Sequence, residues 1–267
     1  MKYCKILASL LTVLLLWGCV PKHSQEIPVS TQPPTEAPTE APTEAPTEEP
    51  TQAPTEPKPE WLLHSGIRED GSFDEGTLFI GDSLTCGFLQ SYLAENDLVG
   101  DAWYMAMPGA ALTTFFNGPR LRYNGQYYSY FSPAFADGTM AEGVEKVGEN
   151  LTAVYLMMGT NHNDGVTEQL YVDVVGYILE CCPNATVYLQ RIPWSTSSAV
   201  DEDAANGRIQ YAYEYYVNQG EIRVRLIDTQ TFIDYNLTPD GVHLTWTGQR
   251  QWYEALVGYA RYHEIPQ

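Results

Sequence analysis

Thr77-Leu78-Phe79-Ile80-Gly81-Asp82-Ser83-Leu84 is the stretch that decides how this chain is read. Its first four residues are a short apolar run with β-branched and aromatic members, the composition of a buried strand. The first strand is expected over 77–81, and residues 84–95 read as a helix. A serine therefore stands where a strand turns into a helix. Near the opposite end of the chain comes Asp240-Gly241-Val242-His243, which puts a histidine three residues after an aspartate. Serine is a poor nucleophile at neutral pH until a base takes its proton, and the base works best when a carboxylate fixes its tautomer. The two segments supply all three groups.

Working outward from this strand, strand-like and helix-like runs alternate. Strands are expected at 102–107, 153–158, 185–192 and 222–227, and helices at 137–148, 168–180, 201–217 and 247–262. Apolar strands separated by amphipathic helices imply parallel pairing, with helices on both faces of one sheet. Ligands of such open sheets sit at the carboxyl ends of the strands. Ser83, Gly109 and Asn161 each fall just past the end of an expected strand, so three candidate groups converge on one rim. Each has a bland reading too: Ser83 as a helix cap, Gly109 as a tight turn after Pro108, Asn161 as the cap of the next helix, and Pro239-Asp240-Gly241 as an ordinary turn.

Taken together, Gly81-Asp82-Ser83-Leu84, Gly109 after a strand, Gly159-Thr160-Asn161 and Asp240-Gly241-Val242-His243 resemble, in order, the blocks of the SGNH or GDSL-type hydrolase family. The resemblance implies a three-layer α/β/α flavodoxin-like sandwich with a mainly parallel sheet, and acyl hydrolysis without cofactor or metal. It implies Ser83 as nucleophile, His243 as base and Asp240 as the carboxylate behind it. The backbone N–H groups of Ser83 and Gly109 and the side-chain amide of Asn161 would form the oxyanion hole. Asp82 is expected to brace the loop rather than react. Where the family usually has Asp directly after the Asn, this chain has His162, so His162 becomes a candidate substrate contact.

The segment between Gly109 and Asp137 is rich in aromatics, including Phe115, Phe116, Tyr127, Tyr128 and Phe135. A long loop over an active rim is usually functional, and tyrosines offer flat apolar faces with a polar edge. Tyr127 and Tyr128 are candidate substrate contacts on that basis. Trp194 and Trp246 are candidate pocket walls.

The rest of the chain sets the context. Lys2 and Lys5, an apolar stretch from Ile6 to Trp17, and Leu16-Trp17-Gly18-Cys19 read as an export signal too short to span a membrane. The ending resembles a bacterial lipobox, with Trp17 where a small residue is usual. It implies removal of residues 1–18, lipid on Cys19, and a location at the bacterial cell surface on the outer face of the membrane. Residues 19–60 then form a tether of Thr-Glu-Ala-Pro repeats without an apolar face, stiffened by proline and reaching at most on the order of 120 Å. Residues 61–267 make one domain.

The chain carries 14 Lys+Arg against 34 Asp+Glu, a formal net charge of −20. That excess argues against nucleic acid, polyanionic substrates and anionic lipid, and favours a neutral ester. The cysteines show no metal-ligand spacing, and adjacent Cys181 and Cys182 are poorly placed to pair. The expected partner is a small-molecule or glycan ester met by a monomer, with membrane contact only through the lipid. The leading expectation is a serine esterase for short acyl groups, acetyl above all, on carbohydrate. A lipid or lysophospholipid esterase, an acyltransferase and a non-enzymatic glycan-binding lipoprotein are the alternatives.

Overall fold

The computed structural model describes residues 65–117, 130–132, 135, 138–161, 165–235 and 237–263. The expected signal, Cys19 and tether lie outside the described residues, as do Tyr127, Tyr128 and His162.

One sheet of six strands has the order β3-β2-β1-β4-β5-β6. Strands β1 (Thr77–Gly81), β2 (Trp103–Ala106), β4 (Ala153–Met157), β5 (Thr186–Gln190) and β6 (Val224–Ile227) run parallel, while β3 (Tyr130–Phe131) pairs antiparallel with β2 at one edge. Helices are α1 (Ser83–Phe88), α2 (Thr114–Asn117), α3 (Met140–Val147), α4 (Glu168–Cys181), α5 (Glu202–Val217), α6 (Thr229–Phe232) and α7 (Trp246–His263). The result is a three-layer α/β/α sandwich, and its parallel strands follow the flavodoxin-like order.

The strands bury both faces, but with different side chains. Leu78 and Ile80 of β1, Val154 and Leu156 of β4, and Val187 and Leu189 of β5 join an aliphatic core with Val144 of α3, Val174 and Ile178 of α4, and Ile209 of α5. The alternate residues Phe79, Tyr155 and Tyr188 join the other core, with Phe88, Trp252 and Leu256. Register places these three rings side by side across β1, β4 and β5. They stack at centroid distances of 5.2 and 4.8 Å. Phe88 of α1 stacks on Trp252 of α7 at 4.3 Å, so the aromatic face fixes the first and last helices against each other. The Trp252 indole N–H donates to Gln190 Oε1 at 2.7 Å, which satisfies its one polar atom inside the core.

After β1 the chain moves to β2 on one side, then returns to lay β4 on the other side of β1. The carboxyl ends of β1 and β4 thus flank the point where the winding reverses, where open α/β sheets form ligand crevices.

Several boundaries differ from the sequence reading, each for a local reason. The helix expected from 137 starts at Met140, because Thr139 and Glu142 form a reciprocal capping box there. The strand expected from 222 starts at Val224; Ile222 is exposed. The helix expected over 84–95 is α1 followed by a π-helical turn at Leu89–Leu93. The short elements β3, α2 and α6 have too few residues to show a period.

Candidate active site

Ser83 is the first residue of α1. Its place is set by the two residues before it. Gly81 ends β1 so close to its neighbours that a Cβ there would meet Thr85 Oγ1 at 1.9 Å and the Met157 carbonyl oxygen of β4 at 2.8 Å. Asp82 is fully buried and caps α1, its Oδ1 accepting from the Leu84 N–H at 3.0 Å. The Ser83 N–H belongs to the first helical turn, whose donors have no partner inside the helix.

The second carboxylate oxygen of Asp82 reaches across to the loop after β4. It accepts from the Thr160 hydroxyl at 2.5 Å and, more distantly, from the Thr160 N–H at 3.4 Å. Burial pushes the Asp82 carboxyl above its ordinary range, opposed by these hydrogen bonds. Thr160 in turn accepts from Asn161 Nδ2 at 3.2 Å, and the same nitrogen donates to the Ala110 carbonyl at 3.1 Å. One buried carboxylate therefore links the Ser83 turn to Asn161, and Asn161 to the loop that carries Gly109. That loop turns at Gly109 with φ +77, with Ala110 N–H bonded to the Met107 carbonyl at 3.0 Å.

The remaining groups come from the loop between α6 and α7. His243 Nε2 lies 2.9 Å from Ser83 Oγ, and His243 Nδ1 lies 2.6 Å from Asp240 Oδ2. With Nδ1–H donated to the carboxylate, Nε2 keeps its lone pair for the serine proton. The other Asp240 oxygen accepts from the Thr238 hydroxyl at 2.7 Å, the Val242 N–H at 2.9 Å and the His243 N–H at 3.0 Å. The histidine bond, followed by these donors, holds the Asp240 carboxyl well below the usual carboxylate range although the side chain is 52% exposed. Its hydrogen bonds thus outweigh its small desolvation.

A segment that the sequence reading left out holds this loop from outside. After β5, Ser195 Oγ and Thr196 N–H both donate to the Gly241 carbonyl, at 2.8 and 2.9 Å. Ser195 N–H is itself tied to Glu202 Oε2 at 2.6 Å, at the start of α5. Gly241 has φ +73, and a Cβ there would lie 2.4 Å from Thr196 Oγ1. Only glycine fits that contact with that backbone.

Together these loops enclose an open cleft of about 620 Å³, lined by Ser83, Gly109, Ala111, Thr160, Asn161, Ser197, Ala199, Val200, Asp240, Val242 and His243. The structure brings Ser83, His243, Asp240, Gly109 and Asn161 to one place. It does not bring the two tryptophans there. The Trp194 indole donates to the Gln230 carbonyl at 3.1 Å and stacks on Tyr235 at 5.5 Å, and the Trp246 indole donates to Glu95 at 3.1 Å beside Tyr92. Neither lines the cleft. Among the aromatics of the following segment, Phe115 and Phe135 are buried core residues. Ser197, Ala199 and Val200 are lining residues that sequence reasoning missed. The signal was present: they follow β5, and the rim rule that singled out Ser83 and Asn161 covers that strand end too. Among the described residues no group of three or more His, Cys, Asp and Glu side chains is placed to hold a metal.

No family model matches the chain, and no curated protein matches it. Among solved structures it is similar to a GDSL-like lipase from Bacteroides thetaiotaomicron, at 14% identity over 69% of this chain and 87% of that chain, with a TM-score of 0.47. It is similar to a lipase/acylhydrolase from Enterococcus faecalis at 14% identity, covering 72% and 98%, with a TM-score of 0.47. It is also similar to an active-site mutant of a family two carbohydrate esterase from Clostridium thermocellum at 16% identity, covering 70% and 63%, with a TM-score of 0.46. Likeness this distant leaves the chemistry to be argued from the cleft's own atoms.

Proposed function

We propose that this chain is a serine esterase of the SGNH type that hydrolyses short-chain acyl esters, acetyl above all, on carbohydrate. The observation that carries the reading is the relay itself: Ser83 Oγ 2.9 Å from His243 Nε2, and His243 Nδ1 2.6 Å from Asp240, at the mouth of an open cleft.

In this reading Ser83 Oγ attacks the acyl carbonyl carbon while its proton passes to His243 Nε2. The imidazolium is stabilised by Asp240, and the proton goes on to the departing alcohol oxygen, leaving an acyl-enzyme. Water, deprotonated by the same nitrogen, then releases the acid. The oxyanion formed at each stage is met by the N–H groups of Ser83 and Gly109 and by Asn161 Nδ2. Since both protons of Asn161 Nδ2 have partners in the free protein, one bond is exchanged for the oxyanion.

Ala111, Ala199, Val200 and Val242 are the only aliphatic side chains among the described lining residues, the rest being polar or glycine, and so small an apolar surface supports a short acyl group over a long one. His243 is 43% exposed, so water has ready access to an acyl-enzyme, and this favours hydrolysis over transfer. The carbohydrate side of the proposal rests on the acidic charge and the tyrosine-rich segment of the sequence. Lipid attachment at Cys19 and display on the cell surface belong to the same proposal; Cys19→Ser is expected to abolish incorporation of a labelled fatty acid.

The test of substrate class is a chain-length series of p-nitrophenyl esters, followed by acetylated oligosaccharides. Acetate turning over much faster than octanoate, and acetylated sugars better than simple acetates, is the expected result. A preference for octanoate would replace the proposal with a lipid esterase.

A further inference from the structure

Gln249 touches none of the reacting groups, yet it joins the two elements that carry them. Its backbone N–H bonds to the Thr245 carbonyl at 2.9 Å in the first turns of α7, and the residue is only 8% exposed. Oε1 accepts from the Tyr92 N–H at 3.1 Å, and Nε2 donates to the Leu244 carbonyl at 3.3 Å. Tyr92 lies in the π-helical turn Leu89–Leu93 that continues the helix beginning at Ser83. Leu244 is the residue after His243.

The local structure shows why this contact exists. A π turn is rare and interrupts the i→i−4 ladder, and side chains inserted into that ladder are a known cause of such irregularity. Here the inserted group is the Gln249 amide. One partner is a donor and the other an acceptor, so a primary amide in this single orientation satisfies both. A methionine of similar length satisfies neither and leaves buried backbone groups unpaired, while a glutamate serves Tyr92 but opposes a charge to the Leu244 carbonyl. Trp246, three residues before Gln249, links the same two elements through Glu95, though on the exposed side. Gln249 does not line the cleft.

We infer that Gln249 is a positioning residue, setting the separation between the helix of Ser83 and the loop of His243; the inference rests on the serine-esterase reading. The loop's other ties, from Ser195 and Thr196 to Gly241, anchor it to the segment after β5 and not to the nucleophile's helix. A small shift of His243 relative to Ser83 lengthens the bond through which the serine proton leaves, which lowers the chemical rate without changing how the substrate is held.

The test compares Gln249→Met and Gln249→Glu with the wild-type full chain on p-nitrophenyl acetate, with active sites counted by labelling with phenylmethylsulfonyl fluoride. Per labelled site, kcat is expected to fall on the order of 10–100-fold while KM stays within about twofold. The downfield proton resonance of the His243–Asp240 hydrogen bond is expected to move in both variants. Wild-type kcat per labelled site with an unmoved resonance overturns the inference, even if the melting temperature drops. Should the wild-type protein neither cleave the ester nor take the label, the esterase reading fails by itself. The resonance then decides: moved, it supports Gln249 as the spacer between helix and loop; unmoved, it overturns that role.

Discussion

Two aspartates stand on either side of Ser83, and the protein uses them in opposite ways. Asp82 is wholly buried between β1 and β4, and Asp240 sits half in solvent on the loop before α7. Both accept hydrogen bonds on both oxygens. Burial dominates at the first and raises its pKa; hydrogen bonding dominates at the second and lowers it. The same side chain is therefore a frame member at one position and a standing negative charge at the other. What separates them is access to water and the imidazole partner, and a carboxylate beside a nucleophile is not by that fact part of the chemistry.

Asp240→Asn is expected to give the largest separation between the two. It leaves the loop's shape nearly intact but offers His243 an amide, favouring the wrong tautomer, so kcat should drop about 10⁴-fold, far more than its modest cost in melting temperature accounts for. Steady-state kinetics beside a thermal melt reads both. A drop of only a few fold would mean that the carboxylate is dispensable and that the two aspartates differ less than their surroundings suggest.

Asn161→Ala probes the end of the Asp82 network that reaches the cleft. Loss of one oxyanion donor should lower kcat about 10²–10³-fold with KM little affected. A loss confined to stability would make Asn161 part of the brace alone.

Asp82→Ala removes the cap of α1 and the partner of Thr160. The expected cost is about 1–3 kcal/mol of folding stability, measured by denaturant unfolding, with a smaller effect on kcat than either change above. Catalysis falling as far as in Asp240→Asn with stability intact would give Asp82 a chemical role and erase the contrast.

The finest discrimination comes from pH. A carboxyl with a lowered folded pKa contributes stability above its unfolded pKa, and that contribution is lost as pH falls through the folded value. Asp240 is of this kind, so the melting temperature of Asp240→Asn relative to wild type should worsen as pH rises from strongly acidic toward neutral. A raised folded pKa works the other way, its contribution being lost as pH rises through it. Relative to wild type, Asp82→Asn should therefore improve as pH rises through and above the carboxylate range. Parallel slopes in the two variants would show that one of the two environments is misjudged.

The sequence carried the frame better than its fittings. The bounds of β1 were read correctly, and those of β4 and α4 to within one residue, because long apolar or strongly periodic runs leave little choice of structure. Ser83, Gly109 and Asn161 were legible because each follows a strand end on the same rim, and Asp240 and His243 because an aspartate three residues before a histidine supplies the partner groups that a serine needs. The tryptophans were not, since an indole N–H turned to a hydrogen-bond partner away from the cleft cannot be told in sequence from one facing a pocket. The Gln249 contact joins residues 157 apart along the chain, with no pattern in either segment to announce it. The antiparallel strand β3 is two residues long and reads as part of its aromatic surroundings.

The central claim is that Ser83 carries the acyl group. Its most direct test is to quench the wild-type protein in acid during turnover of p-nitrophenyl acetate and map the products by mass spectrometry. One acetyl group is expected on the peptide containing Ser83, absent from Ser83→Ala and formed far more slowly in His243→Ala. Continued turnover by Ser83→Ala, or an acetyl group carried on a different residue during wild-type turnover, would contradict it.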